Sequence, residues 1–112
     1  MTLTYMQAFY KILKWVRDTD FESCSTKFEG DDLPARLDYL VTKLVEAGYV
    51  KGFPCYTDWR GRKRVCMEYE YCPTITLAGL EYLEENPAMQ KAKRHFEDVE
   101  LYNKLKREGK VV

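Results

Sequence analysis

The sequence is poor in the residues that carry most enzyme chemistry. It has one histidine, His95, and no glycine-rich phosphate loop, nucleophile elbow or paired-histidine metal motif in its 112 residues. Glu97 and Asp98 neighbour His95 in the sequence, but no nucleophile, base and orienting group fall where they could converge. The expectation is therefore a binding protein, not an enzyme, with no catalytic residue and no cofactor. The four cysteines, Cys24, Cys55, Cys66 and Cys72, lie 31, 11 and 6 positions apart and include no C-x-x-C pair. No metal site is expected from such spacing. A Cys3His set completed by His95, or a redox or zinc switch through Cys55, Cys66 and Cys72, is the minor alternative. Long apolar runs are also missing: none approaches the roughly 20 residues that span a bilayer. The opening MTLTYMQAFYKILKW has neither the basic start nor the small-residue cleavage site of a signal peptide. A cytoplasmic protein with reduced thiols and no membrane contact is expected. Finally, there is no charge excess, since 18 basic residues face 18 acidic ones. Affinity for nucleic acid comes from neutralising phosphates, so any DNA contact must arise from local clustering of cations.

What the chain does have is apolar and aromatic material. Its hydrophobic fraction of 46% and sixteen aromatic residues suffice to bury a core at a length that suits one domain. A first helix reads from Tyr5 to Arg17, with Met6, Phe9, Leu13 and Val16 as its stripe and Tyr5 and Ile12 widening it. A polar stretch follows from Asp18 to Asp32, with Phe21 and Phe28 as anchors. The strongest helix reads from Leu33 to Ala47. Asp31 or Asp32 is placed to cap it, Pro34 suits its first turn, Gly48 ends it, and Leu33, Leu37, Leu40, Val41, Leu44 and Val45 form its buried face.

A hairpin comes next, from Tyr49 to Tyr56 and back through Arg64 to Tyr71, turning near Arg60 and Gly61. In that register Lys51 faces Glu70 and Cys55 faces Cys66. A longer loop would instead slide Val50 toward Ile75 and separate the cysteines, because Pro73 suggests a break before a short strand over 74–76. Thr76 reads as a helix cap, with Leu77, Leu80 and Leu83 inward and Asn86-Pro87 as the stop. A last helix runs from Ala88 to Arg107 with a narrow stripe of Met89, Ala92, Phe96, Val99, Tyr102 and Leu105. That stripe faces the first helix or the same helix of a second copy, which makes it the candidate dimer interface. Residues 1–87 and 88–112 are read as a winged-helix domain and a C-terminal helix.

The fold class expected from this order is α+β: a winged helix-turn-helix with a two- or three-stranded antiparallel wing and a long C-terminal helix. The stretches LVEAGYVKG (Leu44 to Gly52) and ITLAGLEYLEEN (Ile75 to Asn86), followed by a helix beginning near Met89, resemble the YjcQ family. These are small winged-helix proteins of Gram-positive bacteria, their phages and prophages. The resemblance implies the fold and a DNA-binding appearance, and it implies no settled biochemical role. One departure is the segment from Phe21 to Gly30, a poor helix former where a DNA-reading winged helix has a supporting helix.

Two groups of residues are candidates for nucleic-acid contact. Arg36, Tyr39, Thr42 and Lys43 lie on the outward face of the second helix, where arginine can pair with guanine and the others with bases or phosphates. Asp38 and Glu46 on the same face argue for a merely solvated surface. The wing carries Arg60, Arg62, Lys63 and Arg64 beside Trp59 and Tyr56, a set that can grip phosphate or stack on a base. Charge on a hairpin tip also protects an exposed edge. The expected partner is duplex DNA, read by a small phage- or prophage-type regulator. The alternative is a protein-interaction module that binds or inhibits a host or defence protein through the same wing and the exposed helix.

Overall fold

Thr4 starts the first helix by a reciprocal pair of bonds. Its hydroxyl accepts the Gln7 N–H at 3.1 Å while the Gln7 side chain accepts the Thr4 N–H at 3.0 Å, a capping box that satisfies two amide groups at once. Helix α1 (Tyr5–Arg17) keeps the expected bounds. The computed structural model describes residues 2–18, 32–66 and 73–109. In these residues α1 is followed by α2 (Leu37–Glu46), β1 (Val50–Lys51), β2 (Cys55–Thr57), β3 (Lys63–Val65), β4 (Thr74–Ile75), α3 (Leu77–Glu85) and α4 (Pro87–Arg107). The architecture is α+β, four helices and two small antiparallel sheets among the described residues. The expectation for the segment from Phe21 to Gly30 falls outside them.

The face that α1 buries differs from the expected one. Ala8, Tyr10, Ile12, Leu13, Trp15 and Val16 are buried, whereas Tyr5 and Met6 are exposed. The helix is packed between α4, α3 and α2, so it needs a broad apolar face and uses aromatic positions that a narrow stripe leaves out.

Helix α2 is shorter at its start than the sequence suggests. Its N-cap is Arg36, with no side-chain capping bond, and Pro34 lies in the bend before the helix. Asp32 does not cap it. That residue instead ties down the N-terminal segment, its carboxylate accepting the Thr2 hydroxyl at 2.7 Å and its carbonyl accepting the Leu3 N–H at 2.8 Å. Asp31 lies outside the described residues. At the other end Gly48 adopts φ +79°. The Gly48 and Tyr49 amides donate back to Val45 and Leu44, closing the helix as a Schellman motif.

Of the two strand registers open in the sequence, the structure takes the longer-loop pairing for β1. Val50 lies opposite Ile75 and Lys51 opposite Thr74. Strand β2 pairs β3 with Cys55 opposite Val65, Tyr56 opposite Arg64 and Thr57 opposite Lys63. The expected Cys55–Cys66 pair is therefore one residue out, and a one-residue slip exchanges the two faces of a strand. Val65 is buried on the expected face of the returning strand, and its N–H donates to the Thr42 hydroxyl. Lys51 pairs with Thr74, not with Glu70, which is outside the described residues.

Thr76 caps α3 as expected, accepting the Gly79 N–H at 3.1 Å and donating to the Gly48 carbonyl at 2.6 Å. Leu83 is buried, but Leu77 is 73% exposed, a departure from the expected inward set. Asn86 ends α3 and caps α4, accepting from Ala88 and Met89 ahead of Pro87 in the first turn. The first half of α4 completes the core with Met89 and Ala92, and Phe96 stacks on Tyr10 of α1 at 5.8 Å. Its second half carries Val99, Leu101 and Tyr102 exposed.

Candidate nucleic-acid interface on α2 and the hairpin

The hairpin between β2 and β3 is built around one carboxylate. Asp58 Oδ1 accepts the backbone N–H groups of Arg60 and Arg62, each at 2.9 Å, and Oδ2 accepts Arg64 Nε at 3.1 Å with Arg62 Nε at 3.6 Å. Its own N–H donates to the Arg62 carbonyl at 2.8 Å, and its carbonyl accepts the Gly61 N–H at 2.9 Å. Gly61, at φ +78°, makes the reversal that lets five residues close the loop. The Asp58 side chain is only 11% exposed. The Arg62 N–H does most to hold its carboxyl below the ordinary value of 3.8; partial burial opposes this, and the Arg64 guanidinium and Arg60 N–H add to it.

A carboxylate pKa depressed by folding stabilises the loop fully above the unfolded value, and that contribution disappears as pH falls through the folded value. The loop should therefore stay intact down to about pH 4 and loosen only in stronger acid. Amide chemical shifts of Arg60 and Arg62 followed against pH should move together with a midpoint below 3.8; a midpoint at or above that value contradicts the assignment.

Sequence reading did not single out Asp58. The signal was available, because Asp58 with Gly61 three residues later is the residue pattern of a type I turn closed by glycine.

The loop is seated on α2 by Thr42. Its hydroxyl donates to the Asp38 carbonyl at 2.7 Å and accepts the Val65 N–H of β3 at 3.0 Å. The side chain is buried, so Thr42 does not belong to the surface on which the sequence placed it. It lies about 100° round the helix from its neighbours in sequence. Thr42→Val should cost about 1–3 kcal/mol, because it leaves the Val65 N–H buried without an acceptor. Urea unfolding together with hydrogen exchange at Val65 checks this, and Thr42→Ser should restore both; equal stability of the valine and serine variants would contradict the role.

The other three helix candidates, Arg36, Tyr39 and Lys43, are exposed. Tyr39 and Lys43, four residues apart, lie along one side of α2, and Arg36 stands at its N-cap. Arg36 pairs with Asp38 at 3.3 Å while remaining 84% exposed in its side chain. Lys43 sits 5.3 Å from the Tyr39 ring and 3.5 Å from Glu46. Exposed pairs of this kind contribute little, so a phosphate can exchange into them.

An open concavity joins the two elements. Arg36 and Asp38 from α2 face Tyr56, Thr57, Asp58, Trp59, Arg60, Arg62 and Arg64 of the hairpin across it. Four guanidinium groups thus meet two carboxylates in a chain whose total charge is zero. Tyr39, Lys43 and Lys63 lie outside the concavity. The hairpin's described ion pairs end on Asp58, from Arg62 and Arg64. Arg60 instead lies over the Trp59 ring at 4.6 Å.

The candidate dimer residues separate into two groups. Met89 and Ala92 are buried in their own core, so neither is available to a second copy, and Phe96 is half-buried and stacked on Tyr10. Val99 and Tyr102 are exposed and Leu105 is half-buried. Of the cysteines, Cys55 and Cys66 are free thiols, and the other two lie outside the described residues. No group of metal-ligating side chains gathers among the described residues. No described helix is long and apolar enough to cross a membrane.

No curated protein and no solved structure matches the chain. A family model described as YjcQ protein matches residues 10–100; this span takes in the second half of α1, the hairpin with its arginines, and α4 as far as Glu100, and by it the chain belongs to the YjcQ family.

Proposed function

We propose that this chain is a winged-helix DNA-binding protein, a small phage- or prophage-type regulator without catalytic activity, which lays α2 and the β2–β3 hairpin on duplex DNA. The order of helices, paired strands and basic hairpin tip is consistent with a winged helix, and membership of the YjcQ family suggests a phage-associated protein. The observation that carries the reading is the concavity in which Arg36 of α2 and Arg60, Arg62 and Arg64 of the hairpin converge. Local clustering of this kind is what a chain with no net charge needs in order to hold phosphate.

Binding to random-sequence duplex DNA, followed across a salt series, tests the proposal. Affinity should fall steeply with salt, and Arg60→Ala and Lys63→Ala should each lower the slope of log affinity against log salt by about 1. These two substitutions leave the Asp58 hydrogen bonds in place, since Arg60 contributes only its backbone N–H. No binding at low salt overturns the proposal. The second reading, a protein-interaction module, is favoured by the zero net charge and by the exposed tryptophan at the loop tip, because Trp and Arg are enriched among residues that dominate protein interfaces.

A further inference from the structure

The chain has two tryptophans in opposite situations. Trp15 is 1% exposed and Trp59 is 86% exposed. An exposed apolar side chain needs no explanation by itself, but the setting of Trp59 is specific. It occupies a loop whose backbone is fixed by the Asp58 carboxylate and by the turn bond to Gly61. The base of that loop is anchored in the core through Val65 and its bond to Thr42. The indole is thus held out on a rigid mount, so little backbone order is lost on binding.

One side of the indole is covered by the Arg60 guanidinium, 4.6 Å from the ring. This stack restrains both side chains while leaving the guanidinium N–H groups able to reach a phosphate. The opposite ring face remains available to a flat ligand. Tyr56, 47% exposed, lines the same concavity with Arg62 and Arg64. Aromatic faces interleaved with arginines suit nucleic acid in which a base is free to leave its stack, the aromatic taking the base and the cations taking the backbone. A fully paired duplex presents its phosphates to the arginines but keeps its base faces covered.

We infer that the hairpin tip recognises an unpaired base in DNA, with Trp59 as its stacking platform and Arg60 holding the adjacent phosphate. This inference rests on the DNA-binding reading above and narrows it to duplexes that carry an unpaired nucleotide. A protein partner that uses Trp59 as an interface anchor is the competing occupant, and the test below separates the two.

The test uses the full chain and two duplexes of equal length and phosphate number, one with a single bulged thymine and one with an abasic spacer in place of that thymine, so that every base of the second is paired. The bulged duplex should bind about tenfold more tightly, in line with one base stacked on an aromatic side chain. Trp59→Ala should bring the ratio of the two affinities close to one, and Trp59→Phe should keep most of it. Iodide-accessible emission belongs to Trp59, since Trp15 is buried, and the bulged duplex should protect it. Equal affinity for both duplexes, or a ratio that survives Trp59→Ala, overturns the inference while salt-dependent binding leaves the DNA-binding reading in place. Failure to bind either duplex overturns both and assigns the loop tip to a protein partner.

Discussion

Replacing Trp15 by alanine should lower stability by about 3–5 kcal/mol, the range for deleting a large aromatic side chain from a packed interior. Trp15 heads the fully buried side chains by volume. Its ring is tilted against Phe53 at a centroid distance of 6.5 Å, and Phe53 lies in the connection between β1 and β2. The indole therefore joins α1 to the segment that feeds the hairpin. A loss of this size is a large share of the roughly 5–15 kcal/mol that keeps a domain folded. It should lower the thermal midpoint by roughly 12–25 °C. Trp59→Ala provides the contrast, because its side chain touches solvent on most of its surface and should change stability by no more than about 0.5 kcal/mol. Thermal unfolding of the two variants side by side decides the matter; similar melting temperatures would refute the division into a core and a surface tryptophan.

Trp15 also shows where sequence reading stops. The bounds of α1 were legible because its apolar residues recur at helical spacing. The direction of its buried face was not, because periodicity cannot count neighbours. A helix beside one partner needs a narrow stripe, whereas α1 packs against three helices and β4 and buries Tyr10 and Trp15 as well. The hairpin register was open for a related reason. Alternation does not fix the loop length, so Lys51 could face Glu70 or, with a longer loop, Thr74; the structure takes the second, and the buried Val65 with the Thr42 bond to its N–H holds β3 in place. The cap at Thr76 was legible, whereas Thr4 went unread and Asn86 was read only as the stop of α3, although it also caps α4. The start of α2 was misplaced because Asp32 has the right chemistry but is engaged with Thr2 and Leu3.

The candidate site follows the same pattern. The cations of the hairpin are conspicuous in sequence as Arg60, Arg62, Lys63 and Arg64. Their unequal roles are not. Arg64 is half-buried on Asp58 and shapes the loop, whereas Arg60 is stacked on Trp59 and points its charge outward. Thr42 resembles its surface neighbours in type, and only the packing of β3 on α2 turns its hydroxyl inward. The four arginines that meet in the concavity come from positions up to 28 residues apart, Arg36 and Arg64, so their convergence depends on the tertiary arrangement.

Gly79→Ala should destabilise the protein by about 2–3 kcal/mol, against the ordinary trend for such a change. Inside a helix, alanine is worth about 1 kcal/mol more than glycine, and on propensity alone the substitution should help α3. Here a Cβ would overlap the Tyr49 carbonyl oxygen and approach Ile75 Cγ1 to 2.7 Å. The carbonyl cannot withdraw easily, because it accepts the Thr76 N–H at 3.0 Å, beside the strand pair of Val50 with Ile75. Thr76 in turn donates its hydroxyl to the Gly48 carbonyl and caps α3 through the Gly79 N–H. Making room for one methyl group therefore means shifting the α3 cap, the end of α2 and the β1–β4 pair together, and overpacking a fixed neighbour costs more than propensity returns. Leu77→Ala, two residues earlier on the exposed side, is the control and should remain within about 0.5 kcal/mol of the parent. Chemical denaturation of both variants measures the difference, and a Gly79→Ala protein as stable as the parent would show that the close approach of α3 to the Tyr49 carbonyl does not exist.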